Sequence, residues 1–375
     1  MNNRLIDLYK KEFKSNPEKY FMSPCRINLI GEHTDYNAGL VLPAAISKYI
    51  HAVVGKRNDK KIHLKSLNKL GDVEVDLDNI SNSPENKWGN YPLGIFATLQ
   101  KRGYKLPFGL NIIYSSNVPI ASGLSSSASM LDLTAFIASI MYNIPLPNDE
   151  IALLAHQSET EFNGLQCGIM DEFAIALGKK NKCIFLDCGT NKFTYEDVDF
   201  KDLSLVVIVS NVKRALIASP YNQRVAECNK SLDILKKHFS IKSLSDLKVS
   251  DLDECKKLLS NDILYRRTKH VVTSSAVCGA IFTGLSSASK SPFWIALHSA
   301  TMVLRASTKR SSSSFDSLSV GSTIRVSWTG KLRVGAWKPK SMSLLATSVA
   351  STPNSALKLR RSIMHSWATR PVVPV

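Results

Sequence analysis

The sequence predicts an α+β fold in which a mixed sheet packs against helices on one face. Short segments with alternating apolar and polar residues, typical of half-buried strands, recur through residues 1–273. Between them lie longer segments whose apolar residues have the spacing of a helix that packs by one face. The chain has 375 residues, 44% of them apolar, which is enough to bury the cores of two domains. We therefore expect two domains of mixed strands and helices.

A helix is predicted at the start of the chain. Leu5, Leu8, Tyr9 and Phe13 have helical spacing among charged residues. The segment lacks the apolar centre of a signal peptide, and no apolar run in the sequence has the length of a membrane span. The seven cysteines form no CxxC pair and are odd in number, so the sequence predicts neither a disulfide framework nor a zinc site. From these features we expect a protein of the reducing cytoplasm that has no membrane partner.

The remaining predicted elements alternate along the chain. Helical spacing predicts two helices, at residues 127–143 and 148–164, the second capped by Asn148 or Asp149. Alternating or short apolar runs predict five strands. The predicted strands are residues 49–57, 61–68, 109–119, 183–188 and 203–210.

A dense polar cluster lies in "SPCRINLIGEHTDYNAGLVLP", residues 23–43, between two apolar runs. Burying so many polar groups is unfavourable unless each finds a partner, so a polar ligand is one explanation and a capped polar turn is the other. The polar residues are Arg26, Asn28, Glu32, His33, Asp35 and Asn37.

A second motif, "NVPIASGLSSSASM" at residues 117–130, has the features of a phosphate site. Gly123 permits a tight turn, three serines follow, and an apolar helix begins at once. Free N–H groups and the positive end of the helix dipole would then meet at one point. A serine-rich helix cap is the alternative. A similar "GLSSAS" at residues 284–289 is followed by Pro292 without a helical pattern, and we take it as a chance match.

A third motif, "SETEFNGLQCGIMDEFA" at residues 158–174, supplies carboxylates. Glu159 ends a predicted helix, and Asp171 follows a glycine-containing loop. One carboxylate near a phosphate site can hold Mg²⁺, and another can orient or deprotonate a hydroxyl, although each could also be a solvated surface charge. The sequence contains neither a GxxxxGK[ST] phosphate loop nor a strand-linked GxGxxG dinucleotide motif.

Together these motifs resemble galactokinases, members of a small-molecule kinase superfamily that includes homoserine and mevalonate kinases. The similarity covers about residues 8–273. It implies a two-domain kinase fold with an N-terminal domain at residues 1–190 and the start of a C-terminal domain at residues 191–273. The matching segments are "GEHTDYN" (31–37), "WGNYPLG" (88–94), "PIASGLSSSAS" (119–129), "CGIMDEFA" (167–174) and "SNVKRALIASPYNQRVAEC" (210–228).

The resemblance implies roles for the first and third motifs. Glu32, His33 and Asp35 would form hydrogen bonds to galactose hydroxyls. Asp171 would act on the C1 hydroxyl, either accepting its proton or only orienting it. Arg26 would neutralise charge near the transferred phosphoryl group and keep Asp171 ionised.

The resemblance also implies the remaining site residues. Gly168 would line the sugar, and Tyr221 would pack beside it. ATP would lie over the phosphate loop, with Mg²⁺ held by Ser126 or Ser127 and by Glu159. The reaction would convert ATP and α-D-galactose to ADP and galactose 1-phosphate. The phosphate-loop residues are Gly123, Leu124, Ser125, Ser126, Ser127 and Ala128.

Two other functions remain open on the sequence alone. An N-acetylgalactosamine kinase differs by the room around the sugar 2-position, which sequence does not reveal. A non-catalytic galactose- and ATP-binding sensor would keep the first motif and damage the phosphate loop, which is intact here. In each case we expect a monomer with a small-molecule substrate.

The last quarter of the chain differs in composition from the rest. Residues 274–375 contain 13 Lys/Arg, one acidic residue and 23 serines, and their apolar residues follow no sustained period. The net charge of +17 is therefore concentrated here, +12 against +5 in the preceding residues. Because these cations form no regular face and the tryptophans among them are scattered, we expect no nucleic-acid partner.

We interpret residues 274–375 as the product of a reading-frame shift. The superfamily has a third, glycine-rich motif near the C-terminus, yet the five glycines of this segment never lie closer than five residues apart. This interpretation predicts that the second domain is incomplete and that the segment is disordered. It also predicts that the chain as written is poorly soluble or inactive.

Overall fold

The computed structural model describes residues 2–68, 71–119, 122–198, 206–207, 220–286 and 301–302. In this part of the chain no helix combines the length and apolar composition of a membrane span. The helices are α1 (Asn2–Phe13), α2 (Asn90–Lys101), α3 (Ser126–Met141), α4 (Asn148–Gln157), α5 (Met170–Ala176), α6 (Pro220–Leu235), α7 (Leu252–Leu258) and α8 (Asp262–Ser286). The strands are β1 (Lys19–Asn28), β2 (Leu40–Val41), β3 (Pro43–Lys56), β4 (Lys61–Ser66), β5 (Val73–Asp76), β6 (Leu110–Ser116), β7 (Lys182–Asp187), β8 (Lys192–Asp197), β9 (Val206–Val207) and β10 (Thr301–Met302).

A five-stranded mixed sheet positions the first two motifs. Its strand order is β1-β3-β6-β4-β5, and all neighbours are antiparallel except the parallel pair β4 and β6. Helices α2, α3 and α4 contribute to the large apolar core on one face. The predicted α+β class with a mixed sheet is confirmed, and the predicted strands in β3, β4, β6 and β7 and helices in α3 and α4 are present. Of the predicted strand at residues 203–210, only residues 206–207 are described.

Helices cover both faces of this sheet, so the expectation of helices on one face is wrong. Leu5 and Tyr9 of α1 pack against Val53 and Ile113. Alternate strand residues such as Val54 belong to the core on the opposite face, as the two-residue period of a strand requires.

A three-stranded sheet, a short strand pair and a helical core lie outside the main sheet. Strands β2, β7 and β8 form an antiparallel sheet, and β9 pairs with β10. Residues of α6, α7 and α8 build a separate apolar core that includes Leu235, Leu244, Cys255 and Val272.

Helix α8 continues past Thr273, where the sequence predicted a change. It reaches Ser286, and Cys278 is fully buried among apolar residues that include Ile27 and Leu124. The buried face of this part of the helix comprises Ser275, Cys278 and the partly buried Ile281, and the polar Ser275 obscures this spacing in a purely apolar pattern. The expected lack of helical structure is therefore wrong for residues 274–286, while residues 287–300 and 303–375, with the proposed frame shift, lie outside the described residues.

Candidate active site

The loop before α3 turns the chain so that the helix starts at Ser126. Gly123 (φ 73°) and Ser125 (φ 56°) both have left-handed backbone conformations, which is unusual for the serine. The Ser125 side chain does not cap the helix. The first N–H groups of this 16-residue helix can therefore bind a ligand, and its dipole favours an anion there.

The "GEHTDYN" segment forms a tight turn between β1 and β2. Gly31 has φ 97°, and a Cβ at this position would collide with the Leu40 carbonyl oxygen. The buried Thr34 hydroxyl lies 2.7 Å from the Gly31 carbonyl oxygen and 2.9 Å from that of Leu40. The Asn37 side chain donates to the His33 carbonyl. Thr34 and Asn37 thus hold the turn that displays the other polar side chains.

Arg26 and Asp171 join the three motifs at one point. Arg26 Nε lies 2.6 Å from Asp171 Oδ1, and Nη2 lies 2.6 Å from Oδ2. The Ser125 hydroxyl donates a hydrogen bond to Asp171 Oδ2, and Arg26 Nη1 donates to the Gly123 carbonyl oxygen at 2.9 Å. Burial lowers and Asp171 raises the pKa of Arg26, and the net direction is upward. The guanidinium therefore stays charged beside the phosphate loop.

Asp35 lies against Gly168, beside this ion pair. A Cβ on Gly168 would overlap the Asp35 carboxylate, so only glycine allows this approach. Burial, Asp171 and Glu32 together raise the pKa of Asp35 to about 7. The predicted sugar-binding acid thus lies in a region rich in negative charge.

The His33 ring is held by protein groups at both nitrogens. Arg224 Nη1 lies 3.0 Å from Nε2, and the Tyr36 hydroxyl lies 3.0 Å from Nδ1. Because arginine can only donate, Nε2 accepts, and Nδ1 of a neutral ring carries the hydrogen. The Tyr221 ring packs 5.5 Å from the His33 ring, and burial raises the pKa of Tyr221. His270 Nε2 lies 2.7 Å from the Glu32 carbonyl oxygen.

Sequence reasoning missed three of these residues. Tyr36, Arg224 and His270 orient the "GEHTDYN" turn from inside the motif, from α6 and from α8. Arg224 lies in a segment quoted for the resemblance, and His270 lies within the residues that the similarity covers. Nothing in the sequence, however, pairs Arg224 with His33 or His270 with Glu32, which are 191 and 238 positions earlier. Glu32, His33, Asp35, Gly168 and Tyr221 lie near one another, as the prediction requires.

A solvent-open cavity lies beside the start of α3. Its space, part of which is open solvent, amounts to about 790 Å³, and Ser126 and Ser127 line one side. Trp88, Tyr91 and Tyr114 contribute aromatic surface to the same cavity. An aromatic cavity next to free helix N–H groups suits a nucleotide with its phosphates at the helix. Trp88 and Tyr91 belong to the "WGNYPLG" segment, for which the resemblance implied no role.

Glu159 lies on the single π-helical turn Ser158–Phe162 that follows α4. Its side chain is buried, and Oε1 has no hydrogen-bond partner. Burial and the neighbouring Glu172 raise the pKa of Glu159. Burial and Glu159 in turn raise the pKa of Tyr91 to about 12, which places this carboxylate close to the cavity. No hydrogen bond joins Glu159 to Ser126 or Ser127, and all three residues are described.

Comparison with known proteins identifies the family. Residues 7–56 match the galactokinase galactose-binding signature, and residues 90–179 match the GHMP kinases N terminal domain. The galactokinase of Clostridium beijerinckii is 39% identical over 272 residues, which are 72% of this chain and 70% of that protein. This chain belongs to the galactokinase family. The galactokinase of Bacillus subtilis is 41% identical over 256 residues, 68% of this chain and 66% of that one.

A solved galactokinase has the same fold. The crystal structure of Lactococcus lactis galactokinase complexed with galactose matches with a TM-score of 0.73 and 35% identity. The match covers 76% of this chain and 74% of that one. The predicted family and the α+β kinase fold are thus confirmed, and the chain is an ATP-dependent sugar kinase by family. The two matched segments contain every predicted site residue except Tyr221.

Proposed function

We propose that this galactokinase-family chain transfers the γ-phosphoryl group of ATP to the C1 hydroxyl of α-D-galactose. The products are galactose 1-phosphate and ADP. The observation that carries the proposal is the contact of Asp171 with both Arg26 and Ser125, which brings the predicted acid–base residue to the edge of the phosphate loop.

The sugar would bind against Asp35, Glu32 and Gly168. Asp35 can form hydrogen bonds to hydroxyls in either protonation state, and Gly168 leaves room for a ring close to it. Both ring nitrogens of His33 already contact Arg224 and Tyr36, so His33 would line the sugar site and would bind a hydroxyl only if one of these contacts opened. The Tyr221 ring would close one side by apolar contact.

The two oxygens of Asp171 differ in what they can still accept. Within the described residues, Oδ2 accepts hydrogen bonds from Arg26 and Ser125, whereas Oδ1 accepts one, from Arg26. Oδ1 therefore has the lone pair for the C1 hydroxyl. In the transfer, the C1 oxygen forms a bond to the γ-phosphorus, the bond from that phosphorus to the β-phosphate oxygen breaks, and the hydroxyl proton is released. Asp171 either accepts this proton or only orients the hydroxyl while the proton passes to the phosphate.

ATP would bind in the aromatic cavity with its phosphates at the start of α3. The loop residues from Gly123 to Ala128 would offer backbone N–H groups to the phosphates, and Ser126 and Ser127 would add hydroxyls. Arg26 would place a positive charge beside the transferred group, where negative charge develops.

The residues near this cavity fit a magnesium ion. The buried Glu159 oxygen without a partner, close to the cavity that Ser126 and Ser127 line, supplies the oxygen ligands that Mg²⁺ prefers. Ser126 or Ser127 would be the second protein ligand. When bound, Mg²⁺ neutralises negative charge on the β- and γ-phosphates.

We also infer that the protein is a monomer located in the cytoplasm.

A coupled ADP-release assay on the frame-corrected, full-length protein tests this function. Galactose should give turnover, while homoserine and mevalonate should give none above the rate without substrate. Faster turnover with N-acetylgalactosamine would favour the acetylated sugar as substrate. Saturable galactose and ATP binding without ADP release would indicate the non-catalytic sensor.

The activity of the chain as written depends on residues 287–375 and is a separate prediction. A frame-corrected gene expressed beside it gives the comparison. Galactose-dependent ADP release from the corrected protein alone would support the frame-shift interpretation. Equal rates would show that the tail is compatible with a complete nucleotide site.

A further inference from the structure

A histidine, a cysteine and a glutamate converge beneath the candidate active site. His156 lies near the end of α4, Cys167 in the loop before α5, and Glu172 in α5. Cys167 Sγ is 3.9 Å from His156 Nδ1, which is 3.8 Å from Glu172 Oε1. One ligand atom of each residue lies within 4.8 Å of those of the other two. We infer that these three side chains form a binding site for a transition-metal ion such as Zn²⁺.

Buried carboxylates with few hydrogen-bond partners support this inference. Glu172 is 0% exposed, and among the described residues the Glu159 carboxyl group is the one side chain close enough to share a hydrogen bond with its carboxylate. Glu159 is 3% exposed, with Oε1 unpartnered and Oε2 3.5 Å from Cys167 Sγ. Buried carboxylates without partners are rare because loss of hydration is unfavourable. A cation bound between these groups would satisfy both glutamates.

The local charge balance points the same way. Asp132 is 3% exposed and lies near Glu172 and Glu159. Burial and these two neighbouring carboxyl groups raise the pKa of Asp132. Among the described residues no lysine or arginine forms an ion pair with any of these three, and Arg26 is paired with Asp171. Within the described residues, His156 beside Glu172 is therefore the one basic side chain that could balance charge on these carboxyl groups.

The donor atoms indicate the class of metal. An imidazole nitrogen and a thiolate are ligands of Zn²⁺ and related ions, whereas Mg²⁺ prefers oxygen alone. Tetrahedral Zn²⁺ ligands lie about 3.3–3.6 Å apart, so the distances of His156 to Cys167 and to Glu172 would contract by a few tenths of an ångström. The distance between Cys167 and Glu172, which is within 4.8 Å, would contract by up to about 1 Å. The fourth position would hold water or Glu159 Oε2. The cluster has no CxxC spacing, which is why the cysteine pattern predicted no zinc site.

A metal here would position the residues next to its ligands. Cys167 precedes Gly168, and Glu172 follows Asp171. An ion bound to Cys167 and Glu172 would fix the segment that carries the sugar-lining glycine and the acid–base residue. A proton shared between Glu159 and Glu172 is the alternative way to hold two buried carboxyl groups together.

Cobalt titration of the metal-stripped full chain tests the site without measuring activity. One equivalent of Co²⁺ should give a thiolate-to-cobalt charge-transfer band and the strong visible bands of a four-coordinate ion. Zn²⁺ should displace it, an excess of Mg²⁺ should not, and protons should be released as the thiol ionises. No thiolate band at equimolar Co²⁺, or displacement by Mg²⁺, would overturn the inference and favour the shared proton.

Matched variants separate this cluster from other thiols. Cys167→Ser should abolish the thiolate band, while Cys188→Ser, at another partly buried cysteine outside the cluster, should retain it. Glu172→Gln and His156→Gln should retain the band but weaken Co²⁺ binding by about 10-fold or more, on the scale seen when metal-site partners are removed. A band that survives Cys167→Ser, or unchanged affinity in both other variants, would contradict the site. If Cys167→Ser fails to fold, the wild-type spectrum and the affinities of Glu172→Gln and His156→Gln still test the metal site.

Discussion

Arg26 and Asp171, 145 residues apart, form an ion pair through two parallel hydrogen bonds of 2.6 Å each. Such a pair fixes the plane of the carboxylate as well as its position. The third contact of Arg26, to the Gly123 carbonyl, ties the same guanidinium to the phosphate loop. The orientation of Asp171 is thus coupled to the backbone that would bind ATP.

Asp171→Asn should lower turnover by at least about 10²-fold, the range for a positioned acid–base group. The amide keeps the size of the carboxylate but loses its charge and one acceptor for Arg26. Galactose binding should remain measurable, because Glu32 and Asp35 are unchanged. Steady-state ADP release and equilibrium galactose binding measure the two effects. Asp197→Asn, at an exposed ion pair with Lys182, is the control and should change neither.

Near-normal turnover of Asp171→Asn would remove this residue from its assigned role. Loss of folding is a different outcome and is detected by thermal unfolding of the same preparation.

Gly168→Ala should lower kcat/KM by about 10²-fold, because a Cβ there overlaps the Asp35 carboxylate and must displace it from the sugar site. Gly279→Ala in α8 is the matched control. Its Cβ would meet Leu40 at 3.4 Å, an ordinary contact, so activity should be unchanged and the helix stabilised by about 0.5–1 kcal/mol. Normal galactose kinetics in Gly168→Ala would show that this approach of glycine to Asp35 does not matter for catalysis.

Local sequence patterns predict the elements whose conformation is determined by residues close together in the chain. The Gly123 turn and the start of α3 follow from a glycine, three serines and an apolar helix in succession, and the structure has both. The approach of Arg26 to Asp171 was expected from the resemblance, since no local pattern links residues on a strand and a distant helix.

Other parts of the site depend on long-range contacts that no local pattern encodes. Arg224 and His270 reach the "GEHTDYN" turn from α6 and α8, and only the packing of those helices brings them there. The end of α8 was missed for another reason. Ser275, Cys278 and the partly buried Ile281 form its packed face, but the polar Ser275 and the exposed Val277 interrupt the apolar pattern that predicts a helix.

Substitution on this packed face tests whether α8 belongs to the fold beyond Thr273. Cys278→Asp should lower the free energy of unfolding by about 3 kcal/mol or more, because the carboxylate would be buried without a partner. Val277 is 46% exposed, so Val277→Asp on the same helix should change the free energy of unfolding by less than about 1 kcal/mol. Denaturant unfolding of both variants measures the difference. Equal effects would mean that Cys278 is not buried in solution.

Asp35→Ala should weaken galactose binding by about 1–3 kcal/mol, the usual result of losing a buried hydrogen-bond partner. Glu32→Ala should act in the same direction, since both residues face the predicted sugar site. Asp233→Ala, at an exposed position of α6, is the control. Isothermal titration with galactose measures all three affinities. If neither Glu32→Ala nor Asp35→Ala changes affinity, the "GEHTDYN" segment is a structural turn and does not bind the sugar.

The raised pKa of Asp35 predicts a pH dependence of stability. Its pKa is about 7 in the folded chain and 3.8 without these surroundings, so between these values the folded state holds a proton that the unfolded state has lost. The contribution of the protonated Asp35 carboxyl to the free energy of unfolding is fully present below about pH 4. It is lost as the pH rises towards 7, at up to about 1.4 kcal/mol per pH unit. Asp35→Asn does not titrate, so its free energy of unfolding should fall less over this window. Denaturant unfolding of both proteins across the window gives the comparison, and other titrating groups such as Glu172 cancel in the difference. Parallel curves would show that Asp35 ionises near its ordinary value and that the surrounding negative charges do not act on it.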